Sequence, residues 1–148
     1  AGEAVKVWCL IRGLDENFYG SGYGTTFEWL TTEYRNDDEH YVVGFAVGEH
    51  ALDATNLDEV TAAIHQYLPD VEVVAADYHD WNKDEFSKGT WMAYRPGQCM
   101  ANSTELQKPH GRIAFANSDL ASGWAGWIDG ALESAFRAAN TVEGWLKG

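Results

Sequence analysis

The sequence predicts an α+β chain: a mostly antiparallel sheet with one mid-chain helix, then a short strand and a long C-terminal helix. Three observations predict it. β-rich segments alternate with polar turns over the first 80 residues. One capped, amphipathic segment lies between two of them. A periodic run rich in Ala and Gly ends the chain. The 148 residues fit one compact domain or two small lobes sharing a core. With 45 % hydrophobic and 22 % charged residues, the balance is globular and excludes a disordered or collagen-like chain.

Residues 4–11 (Ala-Val-Lys-Val-Trp-Cys-Leu-Ile) read as a strand that is apolar on both faces, hence buried on both, with Lys6 as its anomaly. Residues 13–24 form a Gly-rich loop. Thr26–Tyr34 and Tyr41–Val47 make a hairpin around the polar turn Arg35–Glu39. Asn56 is a natural N-cap, and Glu59 three residues on completes a capping-box-like pair. Leu57, Val60, Ile64, Tyr67 and Leu68 then form one stripe, which Pro69 stops. Val71–Tyr78 is a further strand and Asp80–Lys88 a polar link. Arg95-Pro96-Gly97 is a turn, and Arg112–Ala116 a short buried strand. A helix from about Ala125 to Leu146 carries the stripe Ile128, Ala131, Leu132, Ala135, Ala138 or Ala139, and Val142. These patterns divide the chain at residues 1–88 and 89–148.

Charge supports that division. The net charge is −13, yet residues 89–148 hold five acids and five bases, so the whole excess lies in residues 1–88. Such acidity argues against a nucleic-acid partner, because phosphates would be repelled. No apolar run approaches the roughly 18–20 residues that cross a bilayer, and Ala1-Gly2-Glu3-Ala4 does not resemble a secretion signal. The lack of an initial Met fits a processed or excised piece. Cys9 and Cys99 show neither metal spacing nor a disulfide framework, which favours a reducing cytoplasm. His40, His50, His65 and His110 show no pairing, and Asp77-Tyr78-His79-Asp80 reads as a solvated strand end, so no metal is expected.

The chemistry concentrates in residues 115–135: strand, polar loop, glycine-aromatic bend, helix. A helix start offers unpaired N–H groups and a positive dipole end, suited to an anion or an electron-rich carbonyl. Gly123 and Gly126 allow close approach of a planar ligand, and Trp124 and Trp127 supply flat walls. On pattern alone, the same residues equally describe a helix packed on a sheet with two indoles filling the core. Seven Trp residues also allow an aromatic-rich, non-catalytic binding module, for sugars for example, or a regulatory domain.

This stretch resembles the C-terminal end of the flavin-dependent, monoamine-oxidase-like amine oxidases, of bacterial type. There a Gly-[Ser/Thr]-Glu loop and an aromatic-Gly-aromatic-x-[Glu/Asp]-Gly-Ala helix start close over the flavin. Here stand Asn117-Ser118-Asp119 and Trp124-Ala125-Gly126-Trp127-Ile128-Asp129-Gly130-Ala131. Gly89–Gly97 is similar to the family's Gly-x-aromatic segment and Pro-Gly turn, and Ala4-Val5-Lys6-Val7 resembles the strand with its buried lysine. The resemblance implies that residues 1–88 are a portion of the substrate domain, and residues 89–148 the C-terminal portion of an FAD-binding, Rossmann-type domain. It implies that Lys6 holds a water near flavin N5, and that Trp91 and Trp127 face each other as an aromatic cage. Trp124 would pack on the flavin, Asp119 would meet its ribityl-pyrophosphate part, and the Ile128 N–H its pyrimidine carbonyl, with Gly126 leaving room. Thr90 stands where some members carry a cysteine bonded to the flavin, so non-covalent FAD is expected.

Nothing in these residues supplies a Gly-x-Gly-x-x-Gly turn; Gly20-Ser-Gly22-Tyr-Gly24 has the wrong spacing. The resemblance therefore implies a fragment or subunit, inactive without an N-terminal dinucleotide-binding part. Its partners would be that part, a small-molecule amine and O2, in an enzyme that oxidises a C–N bond to an imine and forms H2O2; a homo-oligomer is allowed.

Overall fold

The computed structural model describes residues 2–48 and 52–148; His50, among the histidines above, lies outside them. The chain forms two compact units, Gly2–Thr90 and Trp91–Gly148.

The first unit is a five-stranded sheet. Strands β1 (Ala4–Arg12), β2 (Tyr19–Ser21), β3 (Trp29–Asn36), β4 (Glu39–Val47) and β5 (Glu72–Tyr78) lie in the order β2-β3-β4-β1-β5. Every ladder is antiparallel. The hairpin β3–β4 closes on Asn36↔Glu39, and Asp37 between them takes the left-handed conformation the tight turn needs. β2 escapes sequence reading because three residues with a central Gly give no alternation.

Helix α1 (Leu57–His65) starts where expected. The Asn56 side chain accepts from Asp58 N–H at 3.1 Å. Glu59 closes the cap by a different route, through the Asn56 side-chain amide at 3.2 Å and the Asp53 N–H at 3.1 Å. Val60, Ala63 and Ile64 are buried, whereas Leu57, expected in the stripe, is exposed. This helix covers one sheet face, where Val5, Val7, Cys9, Ile11, Phe27, Leu30, Val42 and Ala46 form the core.

β1 is therefore covered on one face and not on two. Val5, Val7, Cys9 and Ile11 point into the core, while Lys6, Trp8 and Arg12 are exposed. The strand is central in the sheet, which explains its apolar character, and α1 is the one described helix within this unit.

Gly44 marks the tightest point of the core. A Cβ there would lie 2.7 Å from three atoms of the fully buried Phe27 ring. Gly44→Ala is expected to lower stability by about 1–3 kcal/mol through overpacking, read as a shifted denaturation midpoint.

His40 is fully buried in β4, and neither ring nitrogen has a hydrogen-bond partner. Burial, helped by the charge of Arg35 and opposed by Asp15, holds its pKa below the ordinary 6.5. The unfolded chain thus takes the proton more readily. Stability from this group is whole above about pH 6.5 and drains as pH falls below it. Wild type is expected to lose melting temperature between about pH 7 and pH 5.5, and His40→Leu to lose less of it over the same span.

The second unit contains α2 (Gln98–Leu106), a 3₁₀ turn at Ser118–Leu120 and α3 (Ile128–Lys147). α2 buries no residue and has no side-chain cap, so it carries no periodic stripe to read. Residues 112–116, expected as a short buried strand, form no ladder; one isolated bridge joins His110 and Ile113, and Ile113 and Phe115 are exposed. A strand of that kind needs neighbours, and among the described residues it has none. The expected α3 stripe is likewise uncovered: Ile128, Leu132 and Val142 are exposed, as are Phe136 and Leu146 outside it, and the buried residues of this helix are Gly130 and Ser134. Among the described residues, no helix is long and apolar enough to cross a membrane.

Candidate functional site

The bend that precedes α3 gathers most of the expected site residues. Asn117 opens it as a side-chain cap, accepting from the Asp119 N–H at 2.9 Å. Gly126 N–H donates to Ser118 carbonyl at 3.2 Å and Trp127 N–H to Trp124 carbonyl at 3.0 Å, which folds residues 118–127 into a closed turn. Trp124 is left-handed at φ +53°, and Gly126 is left-handed too. A bulky residue held there costs on the order of 1–3 kcal/mol, which the surrounding contacts must offset.

Those contacts come from α3. Gly130 lets its first turn abut the bend: a Cβ there would lie 2.4 Å from the Trp124 carbonyl oxygen. The buried Ser134 hydroxyl accepts from Asn117 N–H at 3.0 Å. The Glu133 carboxylate accepts from the Ser122 N–H at 3.0 and 3.1 Å and from the Gly123 N–H at 3.1 Å. Hydrogen bonds from the Ser122 and Gly123 amides, reinforced by the Arg137 charge, hold that carboxyl below the usual carboxylate range.

The outer side of the bend is open. Trp124 and Trp127 are 71 % and 67 % exposed, and Ile128 is exposed beside them. Nothing stands within 4 Å of a Cβ added at Gly123 or Gly126. The helix has no side-chain cap at Trp127, so its first-turn N–H groups lack a capping side-chain acceptor there. Two exposed indoles, two glycines with open space at Cβ and an uncapped helix start thus fall within residues 123–128. Such a segment can take a flat, electron-rich ring.

Asp119 lines a cavity of about 290 Å³ with Met92, Tyr94, Cys99, Ser103 and Ser122. Trp91, in the same unit, is 41 % exposed.

Lys6 and Thr90 belong to the sheet unit. The Thr90 hydroxyl and N–H both meet the Gly2 carbonyl, at 2.9 and 3.0 Å, which ties residue 90 to the head of the strand carrying Lys6. Lys6 is exposed, with its ammonium 5.5 Å from the centroid of the Trp8 ring. Sequence reading missed what shares its face. Phe45 pairs with Lys6 across the ladder and stacks on Trp29 with centroids 5.3 Å apart. The signal was the alternation of Lys6, Trp8 and Leu10 against Val5, Val7, Cys9 and Ile11, which sets one strand face apart as aromatic and open. Among the described residues, no group of three or more His, Cys, Asp or Glu could hold a metal ion.

The chain matches known proteins along nearly its whole length. The sequence profile of the flavin containing amine oxidoreductases matches residues 4–143. Pseudooxynicotine dehydrogenase of Pseudomonas sp is 43 % identical over 124 residues, covering 84 % of this chain and 25 % of that protein. (S)-6-hydroxynicotine oxidase of Paenarthrobacter nicotinovorans is 35 % identical over 144 residues, covering 95 % of this chain and 33 % of that one. Among solved structures, a putrescine oxidase triple mutant superposes with a TM-score of 0.74 at 23 % identity, over 96 % of this chain and 35 % of that chain. The likeness to that structure is one of fold. The chain spans about a quarter to a third of the length of these curated relatives.

Proposed function

Because the chain belongs to the flavin-containing amine oxidoreductase family, we propose that it is the C-terminal portion of an FAD-dependent amine oxidase. The whole enzyme would oxidise an amine C–N bond to an imine and reduce O2 to H2O2. One observation carries this reading beyond family membership: the exposed indoles of Trp124 and Trp127 on a bend that ends in an uncapped helix start.

The residues present fit a flavin. The bare approach at Gly123 and Gly126 would receive a planar ring. Bound FAD would supply the two-electron acceptor. The Ile128 N–H, at the positive end of α3, would stabilise negative charge at the pyrimidine carbonyl. Trp127 and Trp91 would form the dry aromatic walls through which the amine approaches, with π faces that favour a cation on the way in. Trp124 would pack on the ring system, and Asp119 would serve the ribityl-pyrophosphate part. Lys6 would hold a water at the reactive edge. Thr90, already bonded to Gly2, supplies no thiol, so the cofactor is held without a covalent link.

Residues 91–148 support the need for further chain. Their described buried residues are Gly130 and Ser134, and the apolar core lies wholly in the other unit. The uncovered residues Ile128, Leu132, Phe136 and Leu146 would pack against the dinucleotide-binding part. The relatives' names point to nicotine-related amines as the substrates to try first. We place the enzyme in the cytoplasm, where free Cys9 and Cys99 would persist. Family membership favours this reading over an aromatic binding module.

The test is spectroscopic. The full-length protein should purify yellow, release its FAD on acid denaturation, and bleach anaerobically with one or more amines of a panel spanning nicotine-type, diamine and arylalkyl substrates. A colourless protein that takes up no FAD would sink the proposal.

A further inference from the structure

Helix α3 is tied to its own leading bend by a polar seam. Gly130, Glu133, Ser134 and Arg137 recur at helical spacing and face the bend, opposite the uncovered apolar stripe. Within that seam one pair gathers most of the bonds. Glu133 accepts from the Ser122 and Gly123 N–H groups and from Arg137 Nη1 at 3.0 Å. Arg137 Nη2 donates to the Leu120 carbonyl at 2.5 Å. The two side chains thus hold residues 120–123 against one face of α3, with the carboxylate taking backbone donors and the guanidinium a backbone acceptor.

The clamp sits directly before Trp124, whose left-handed backbone needs an outside constraint. Without it, residues 122–124 could relax toward an ordinary conformation and carry the indole away from the helix start. Neither clamp residue is among those expected to touch the cofactor. Both side chains are only partly buried, so they contribute little to a core.

We propose that Glu133 and Arg137 are positioning residues: they hold the Ser122–Trp127 bend in the shape that presents Trp124, Trp127 and the α3 N-terminus to the flavin. The inference rests on the functional reading above. It assigns these two residues a task in cofactor binding and not in the chemistry itself.

The test uses the full-length holoenzyme with Glu133→Ala, Glu133→Gln and Arg137→Lys. Three properties are measured: amide exchange across residues 118–127, FAD affinity on reconstitution, and quenching of flavin emission by the nearby indoles. Glu133→Ala should speed exchange at residues 122 and 123 about tenfold or more and weaken FAD about tenfold. Flavin emission should rise, with the melting temperature of the apoprotein nearly unchanged. Glu133→Gln keeps one carbonyl acceptor and should recover part of each loss, a rescue that a purely structural role would not tie to emission. If Glu133→Ala fails to fold, Arg137→Lys provides the same readings with the carboxylate bonds intact. Unchanged exchange, or faster exchange with wild-type FAD affinity and emission, overturns the clamp while leaving the oxidase reading standing. A wild-type protein without flavin overturns the oxidase reading and this role with it.

Discussion

Under the proposed function, Trp127→Ala in the full-length protein is expected to lower kcat/KM for an amine substrate by at least about tenfold, or roughly 1.4 kcal/mol of barrier, while the fold survives. The indole is two-thirds exposed on its own unit, so its removal leaves no cavity in a core. Surface substitutions of that kind usually shift stability by no more than about 0.5 kcal/mol. On the proposed reading, a dry wall beside the reacting amine would be lost instead, and water would enter where a desolvated amine is the better donor. Steady-state kinetics beside thermal melts check both halves. Unchanged turnover would remove Trp127 from the cage.

Gly130→Ala is expected to be the most damaging single methyl in residues 91–148. Its Cβ would lie 2.4 Å from the Trp124 carbonyl oxygen and 2.9 Å from the Ala121 Cβ. The first contact is backbone and cannot swing aside as a side-chain tip can. Either α3 lifts from the bend or the bend unwinds, at a cost of about 1–3 kcal/mol. In either case the indoles and the helix start lose register. Expected results are a fall of about tenfold or more in FAD occupancy and faster exchange at residue 127. Full FAD content in Gly130→Ala would show that this close approach is not what shapes the bend.

Local signals in the sequence are strong where single residues have strong backbone preferences. Asn56 capping α1, Pro69 beyond it, and the acidic turn between β3 and β4 each enforce a boundary, and the structure places those boundaries within a few residues. α2 was illegible because Gln98–Leu106 has no apolar stripe and buries nothing. The faces of β1 differ from expectation for another reason. An apolar strand in the middle of a sheet reads alike whether one or both faces are covered, and what decides is a second layer that local sequence does not encode. The bend at residues 117–127 was visible as glycines and indoles. Its fastening was not, because Glu133 and Arg137 look like any exposed helix pair four residues apart until the Ser122 and Gly123 amides are seen beneath them.

The two thiols have a practical consequence. Burial of Cys9 pushes its pKa up to about 12, so it stays protonated and inert at neutral pH, whereas Cys99 is exposed and lines the same hollow as Asp119. Of these two thiols, a maleimide dye would therefore mark the one in the helical unit and spare the one in the sheet. In a full-length protein carrying no other reactive thiol, its uptake rate, followed as FAD is titrated in, would become an optical gauge of cofactor docking that needs no substrate.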